Sequence, residues 1–315
     1  MTPQRNLPPI WLMGMTNATF GMFGGLVAIS LPALLAEQHL PEARIASVTA
    51  ACMSPAFWIF ILCPMLDVRF TRRTYAAASA AGAGIFAAAG LMCLHSTGLL
   101  EVLLLLGFAC ACVTQNALGG WLSTVIRADE ESRLSSWFNV ANIAAGGFIA
   151  MPLAASLLGL LLMLPMAIYP FIPVTRPDGK LARESFSEFF RDILRLLQRR
   201  EVVLALALFL LPSGSFALTN VIGGLGGDFH ASARVIALSG GVGVILAGVV
   251  GSLVFPLLAK RVALRPLYLC IGVVGALFTL GLLLLPHTPA VFAVAFIGEN
   301  LFQALAITGT FAIGF

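Results

Sequence analysis

Charge is what this sequence has least of. Only 10% of its 315 residues are Asp, Glu, Lys or Arg, against roughly a quarter in a soluble domain. With 59% hydrophobic residues and a mean hydropathy of +0.98, the chain has too little polar surface to cover itself in water. That shortage excludes an ordinary soluble protein. Zinc-type and redox-type cysteine spacings are also missing. Cys52, Cys63, Cys93, Cys110, Cys112 and Cys270 all lie in apolar stretches, where they read as buried packing residues. His39, His95, His230 and His287 fall near the ends of apolar runs and form no metal set. The glycine-rich stretch 223–227 has no Lys-Ser/Thr after it, so it is not a phosphate loop. No metal, cofactor or ATP hydrolysis is expected, and a coupling ion would have to drive any uphill work. An intramembrane transferase would need paired carboxylates, a His with a nucleophile, or a metal set near one interface. None is present, so the chain does not read as an enzyme.

What the sequence does have is long apolar runs. A helix needs about 20 apolar residues to cross roughly 30 Å of hydrocarbon. Ten runs meet or approach that length: 10–35, 45–66, 74–94, 99–126, 136–153, 157–172, 202–221, 235–258, 267–285 and 290–315. The first is too long for a signal-peptide core and reads as a retained helix. Lys and Arg follow every second run. One side receives Arg5; Arg69, Arg72 and Arg73; Arg127 and Arg133; Arg176 to Arg200; and Lys260, Arg261 and Arg265. The other receives only Arg44 and Arg234. Positive loops resist translocation, so the N-terminus is placed in the cytoplasm and the protein in the inner membrane. The formal charge of +4 then reports topology and not a nucleic-acid partner. Trp11, Tyr75, Trp121, Trp137, Tyr169 and Tyr268 lie near the same inner ends, where amphipathic rings favour the interface.

Residues 135–173 are short for two spans, yet the charge pattern requires two. A very tight turn near Ser156 is therefore expected. Residues 174–201 form a long polar stretch on the inner side. It opens with the turn signals Pro173, Pro177 and Asp178-Gly179. Ser185 and Glu188 then fit a capping box at a helix start. Phe186, Phe189, Phe190, Ile193 and Leu197 follow at helical spacing with Arg191, Arg195 and Arg199 between them. That pattern reads as an amphipathic helix on the membrane face.

Two loops repeat one another. Pro64-Met65-Leu66-Asp67-Val68-Arg69-Phe70-Thr71-Arg72-Arg73-Thr74-Tyr75 follows the second span. Pro256-Leu257-Leu258-Ala259-Lys260-Arg261 and then Tyr268 follow the eighth. Each has a Pro, an apolar pair, a basic turn, and a Tyr opening the next span, which implies six helices per repeat. Asp67 followed by Arg69, Arg72 and Arg73 resembles the loop signature of major facilitator transporters, although Pro64 and Phe70 or Thr71 stand where glycines are usual. The Pro-x-x-Asp form, Gly-Gly-Leu-Gly-Gly-Asp-Phe at 223–229 and Glu-Asn-Leu-Phe-Gln at 299–303 resemble the muropeptide permease (AmpG-like) and acetyl-CoA transporter branch.

The resemblance implies an all-α integral membrane protein, a major facilitator-type helical bundle with about ten transmembrane helices present of an expected twelve. It implies a six-helix N-terminal bundle at 1–173, a cytoplasmic linker at 174–201, and a C-terminal bundle at 202–315 with four helices. It further implies a monomeric, bilayer-embedded secondary transporter. The transporter would work by alternating access on a small-molecule substrate, muropeptide-like or otherwise amphipathic, with protons as the coupling ion. A non-transporting sensor or decayed transporter is the alternative.

Among candidate residues Glu299 comes first. It lies near the middle of the tenth span, where an ionisable group is costly unless it faces a cavity or a partner. It is the candidate proton carrier; the alternative is a protonated Glu bonded to a neighbouring helix. Asn300 is adjacent and Gln303 is one turn on. Asn17, Gln115, Asn116, Asn139, Asn142 and Asn220 are the other deep polar residues. Each reads either as a cavity-lining group or as an interhelical hydrogen bond. By resemblance, Asp67, Arg69, Arg72 and Arg73 form a gating loop; for the arginines, topology alone is an alternative. Glu101, near an outer end, reads as interfacial. Ala76, Ala80, Gly84 and Ala88, and again Gly243, Ala247 and Gly251, mark small faces for close helix packing.

Overall fold

In hydrocarbon a backbone has no water to bond, so a spanning segment must satisfy its own N–H and C=O groups. The long apolar runs do this as helices, and the described residues contain no strand ladder. The computed structural model describes residues 7–148, 155–174, 182–204, 206–207, 222–282 and 284–314. The principal helices are α1 (Ile10–Glu37), α2 (Glu42–Asp67), α3 (Arg72–Met92), α4 (Thr97–Leu122), α5 (Glu131–Phe148), α6 (Leu157–Phe171), α7 (Ala182–Leu197), α8 (Arg234–Ala259), α9 (Leu264–Leu282) and α10 (Pro289–Gly314). Seven of them, α1–α4 and α8–α10, are long and apolar enough to cross a membrane. They match seven of the ten expected spans. The sixth expected span is the shorter apolar helix α6. The fifth is α5 as far as Phe148, and the seventh lies mostly outside the described residues.

Several spans are not regular α-helix throughout. α1 breaks after Met15 and carries a π-helical turn at Leu26–Ser30. α2 tightens to a 3-10 helix at Ile59–Asp67, around Pro64. α8 has a π-helical turn at Ser239–Gly243, in a glycine-rich stretch. Such turns use wider or narrower hydrogen-bond spacing where a regular ladder does not fit.

The chain forms two compact units. One takes Met1–Ala128 and Ala141–Phe189; the other takes Asp129–Val140 and Phe190–Phe315. The core of the first is built on Phe23, Leu26, Leu31, Leu100, Leu104 and Phe108. Phe108 of α4 stacks on Phe20 and tilts against Phe23 of α1, with centroids 5.7 and 5.9 Å away. The core of the second joins Phe255 of α8 to Leu267, Tyr268 and Ile271 of α9 and to Leu305 and Ala306 of α10. Here α10 packs on both α8 and α9. The small face of α8 is used as expected: a Cβ on Gly251 would sit 2.8 Å from the Leu301 carbonyl of α10. A larger residue at 251 would have to push the two backbones apart.

Ser156 is helical, within Ala155–Met163; the tight turn expected near it falls on residues 149–154, which lie outside the described set. Three sequence expectations are corrected. α7 is already helical from Ala182, so Ser185 sits inside its first turn and not at a cap. Trp121, Tyr169 and Tyr268 are buried packing residues, not interfacial anchors. The Trp121 indole donates to the Pro173 carbonyl at 2.8 Å and meets Tyr169 edge-on. The bond satisfies the indole N–H that burial would otherwise leave unpaired. Among the cysteines only Cys52 and Cys112 are fully buried, and Cys270 is exposed.

Candidate functional site

Glu299 stands in the middle of α10, ten residues in from Pro289, and only 1% of it is exposed. Of its polar neighbours on the helix, Asn300 donates back to Phe296, and the carboxyl bonds to a partner on another helix. That partner is the Thr279 hydroxyl of α9. Among the described residues, no Lys, Arg or His pairs with Glu299. Thr279 Oγ1 also lies 3.0 Å from the carbonyl of Gly275, one turn back along α9. A hydroxyl has one proton and two lone pairs. When the carboxyl is ionised, Thr279 donates to it. When the carboxyl is protonated, it donates to Thr279, whose own proton turns to Gly275. The group can therefore accept either protonation state without moving heavy atoms.

A second buried polar cluster lies in the same unit. Asn139 of α5 is fully buried, and the two N–H groups of its amide are shared among three acceptors: Ser252 Oγ of α8 at 2.9 Å, Thr308 Oγ1 at 3.1 Å and the Ala304 carbonyl at 3.2 Å. Ser252 and Thr308 direct their own protons to Gly248 and Ala304 of their helices. Neither can donate to Asn139, so the amide must donate to them. Ser136, one turn before Asn139, donates to the Ser252 carbonyl. The Asn139 side-chain oxygen has no hydrogen-bond partner among the described residues.

The other expected polar residues are dispersed. Asn300 turns back along α10, donating to the Phe296 carbonyl at 2.8 Å, and Gln303 is half-buried. Asn17 is fully buried at the break between Ile10–Met15 and Ala18–Gly25 of α1. Gln115 is half-buried on α4, and Asn116 beside it is exposed. Asn142 is half-buried on α5, and its backbone presses on Gly21 of α1. Asn220 lies outside the described residues. Four of these groups thus belong to the first unit, and Asn139, Asn300 and Gln303 join Glu299 in the second.

The basic loop is held by its own acid. Asp67 accepts from Arg72 Nε and Nη2 at 3.1 and 2.6 Å, with both side chains about 34% exposed. Thr71 caps α3 by accepting from the Thr74 N–H. Tyr75 donates to the Val68 carbonyl at 2.6 Å. Arg69 takes a left-handed conformation, φ 62°, and its guanidinium lies 5.3 Å from the Phe70 ring centre. Arg73 is half-buried. The Arg72 guanidinium rests against Gly120 of α4, where a Cβ would collide with Nη1. On the opposite side of the sequence pattern, Arg44 pairs with Glu101 at 3.3 Å, which gives Glu101 a partner the sequence did not show.

Sequence reasoning missed Thr279, Ser252, Thr308 and Gly120. The first three are hydroxyls on small-residue faces, the one signal that singles them out.

Helices of this length, composition and order define the fold class: all-α, with seven helices among the described residues long and apolar enough to cross a membrane. Particular solved structures share it. A bacterial homologue of the iron transporter ferroportin, outward-facing with soaked iron, matches with a TM-score of 0.67 and 16% identity over 98% of this chain and 84% of that one. A D-xylose-proton symporter matches with 0.57 and 18% over 97% and 84%. The E. coli xylose transporter XylE, inward-open, gives 0.55 and 12% over 96% and 86%. At these identities the likeness is one of fold. No family model matches the chain, and no curated protein matches it. Among the described residues, no group of three or more His, Cys, Asp or Glu could hold a metal ion.

Proposed function

We propose that this protein is a secondary active transporter of a small solute, working by alternating access and coupled to protons through Glu299. The observation that carries the reading is Glu299 itself: a buried carboxyl at mid-helix whose partner is a hydroxyl able to serve either protonation state. An ionisable group inside a membrane helix is a functional hypothesis by default. The transporter fold supports the general class. The substrate assignment, a muropeptide or another amphipathic metabolite, rests on the short motifs at 223–229 and 299–303.

In this reading Asn17, Gln115, Asn116, Asn139, Asn142, Asn220, Asn300 and Gln303 supply the polar groups of the transport path. The Asp67–Arg72 clasp, with Arg69 and Arg73, stiffens the inner loop that gates it. Residues 1–173 and 202–315 act as the two moving bundles and 174–201 as their linker. The protein works as a monomer in the inner membrane with its N-terminus in the cytoplasm.

The test is uptake of a labelled muropeptide into proteoliposomes under an imposed pH gradient. Glu299→Gln is expected to abolish gradient-driven accumulation while leaving solute exchange at equal pH. Accumulation that persists in Glu299→Gln would remove Glu299 as the carrier. Absence of both activities in the unaltered protein would remove the substrate assignment.

A further inference from the structure

A cleft of about 190 Å³ opens at the end of α8, between that helix and the first turns of α5. Arg133, Ser136, Trp137, Leu253, Pro256, Leu257 and Lys260 line it. All of these residues belong to the second unit. The cleft joins three features that ordinary loop topology does not require together. The first is a pair of cations, Arg133 and Lys260, one from each helix. Both are exposed, and neither has an ion-pair partner among the described residues. Glu130 and Glu131, the acids nearest to Arg133 in sequence, do not pair with it.

The second feature is Trp137, half-buried beside them, whose indole N–H meets no acceptor among the described residues. Ser136, by contrast, gives its proton to the Ser252 carbonyl and is not available to a ligand. The third is an apolar stripe that runs away from the cations along α8. Val242, Leu246, Val250, Leu253 and Leu257 recur at helical spacing, and all are exposed, Leu257 by 59%. The opposite face of α8, with Gly248, Gly251, Ser252 and Phe255, is buried against its neighbours.

We infer that this cleft binds one anionic phospholipid. The headgroup phosphate lies between Arg133 and Lys260. The Trp137 indole donates to a phosphate or ester oxygen, as amphipathic rings do at the membrane interface. An acyl chain lies along Val242 to Leu257. Basic pockets at the ends of membrane helices attract anionic headgroups, and the stripe is what separates a lipid from a free anion. A phosphate ion would use the two cations alone, whereas a lipid also covers Leu253, Pro256 and Leu257, which line the cleft itself. The inference does not depend on what the chain transports.

The experiment is native mass spectrometry of the detergent-purified full chain, dosed equally with phosphatidylglycerol and phosphatidylcholine. The unaltered protein is expected to retain phosphatidylglycerol preferentially. The Arg133→Gln/Lys260→Gln variant should retain it roughly tenfold more weakly or less, with phosphatidylcholine unchanged. Arg199→Gln/Arg200→Gln, which lowers the net charge equally at residues that do not line the cleft, should behave as the unaltered protein. Equal loss in both variants would mean diffuse charge attraction and overturn the site. Equal retention of the two lipids by the unaltered protein would do the same. A second measurement needs no variant: soluble glycerophosphoglycerol and inorganic phosphate, at the same dose, should neither bind nor displace the lipid. Displacement by either would mean an anion site and overturn the lipid assignment.

Discussion

Glu299 and Thr279 form a unit in which neither residue is comfortable alone. A carboxyl at that depth without a donor, or a charge without any partner, is costly, and removing one side of a buried hydrogen bond leaves the other unsatisfied at about 1–3 kcal/mol. Thr279→Val keeps the shape of the side chain and deletes the hydroxyl that meets both Glu299 and Gly275. It should lower the melting temperature in detergent and weaken pH-driven uptake, while Thr279→Ser should restore both. A Thr279→Val protein that melts and transports normally would show that the bond has no part in either. Of this pair only the Glu was legible in the sequence. A carboxylate stands out in an apolar run, whereas a Thr bonding to the carbonyl four residues back is ordinary in a membrane helix. Which Thr meets the carboxyl depends on how α9 is turned about its axis, and that is set by packing. The same reason hid Ser252 and Thr308, although their partner Asn139 was visible. It also made Trp121 look interfacial when Pro173 and Tyr169 enclose it.

At the scale of elements, the approach of α8 to α10 rests on a small residue. Gly251 faces the Leu301 backbone, and the nearest atom is a carbonyl that cannot swing aside. Gly251→Leu should separate the helices and lower stability by about 1–3 kcal/mol, the usual range for overpacking. Gly241→Leu, where a Cβ meets nothing within 4 Å, is the control that should melt near the unaltered temperature. Similar melting of both would mean that the α8–α10 contact contributes little. The helices themselves were readable from apolar run length, and the Gly243, Ala247 and Gly251 face from its spacing. Their partners were not, since spacing names a face and not what lies across from it. Helix starts were less readable too: the Ser185 and Glu188 pattern is real, but helix begins before it.

At the scale of the molecule, the sequence pattern places residues 93–96 outside and 260–263 inside. The Arg44–Glu101 pair removes one of the two cations that argue otherwise, because a neutralised Arg weighs less against translocation. In a background freed of native cysteines, Ser96→Cys should react with an impermeant thiol reagent applied to intact cells. Ala263→Cys should react only after the membrane is opened. The reverse pattern would invert the topology and move the Asp67 loop and the Arg133–Lys260 cleft to the outer face.

Gly120 and Arg72 have one more consequence, for how this protein can change over generations. With the guanidinium lying where a side chain at 120 would grow, the two positions are not free to drift separately. A larger residue at 120 obliges the Arg72 guanidinium, the far end of a flexible side chain, to swing aside, and that movement draws it off Asp67. Change at 120 is therefore felt first at the clasp: lineages that lose the arginine lose this reason to keep the glycine.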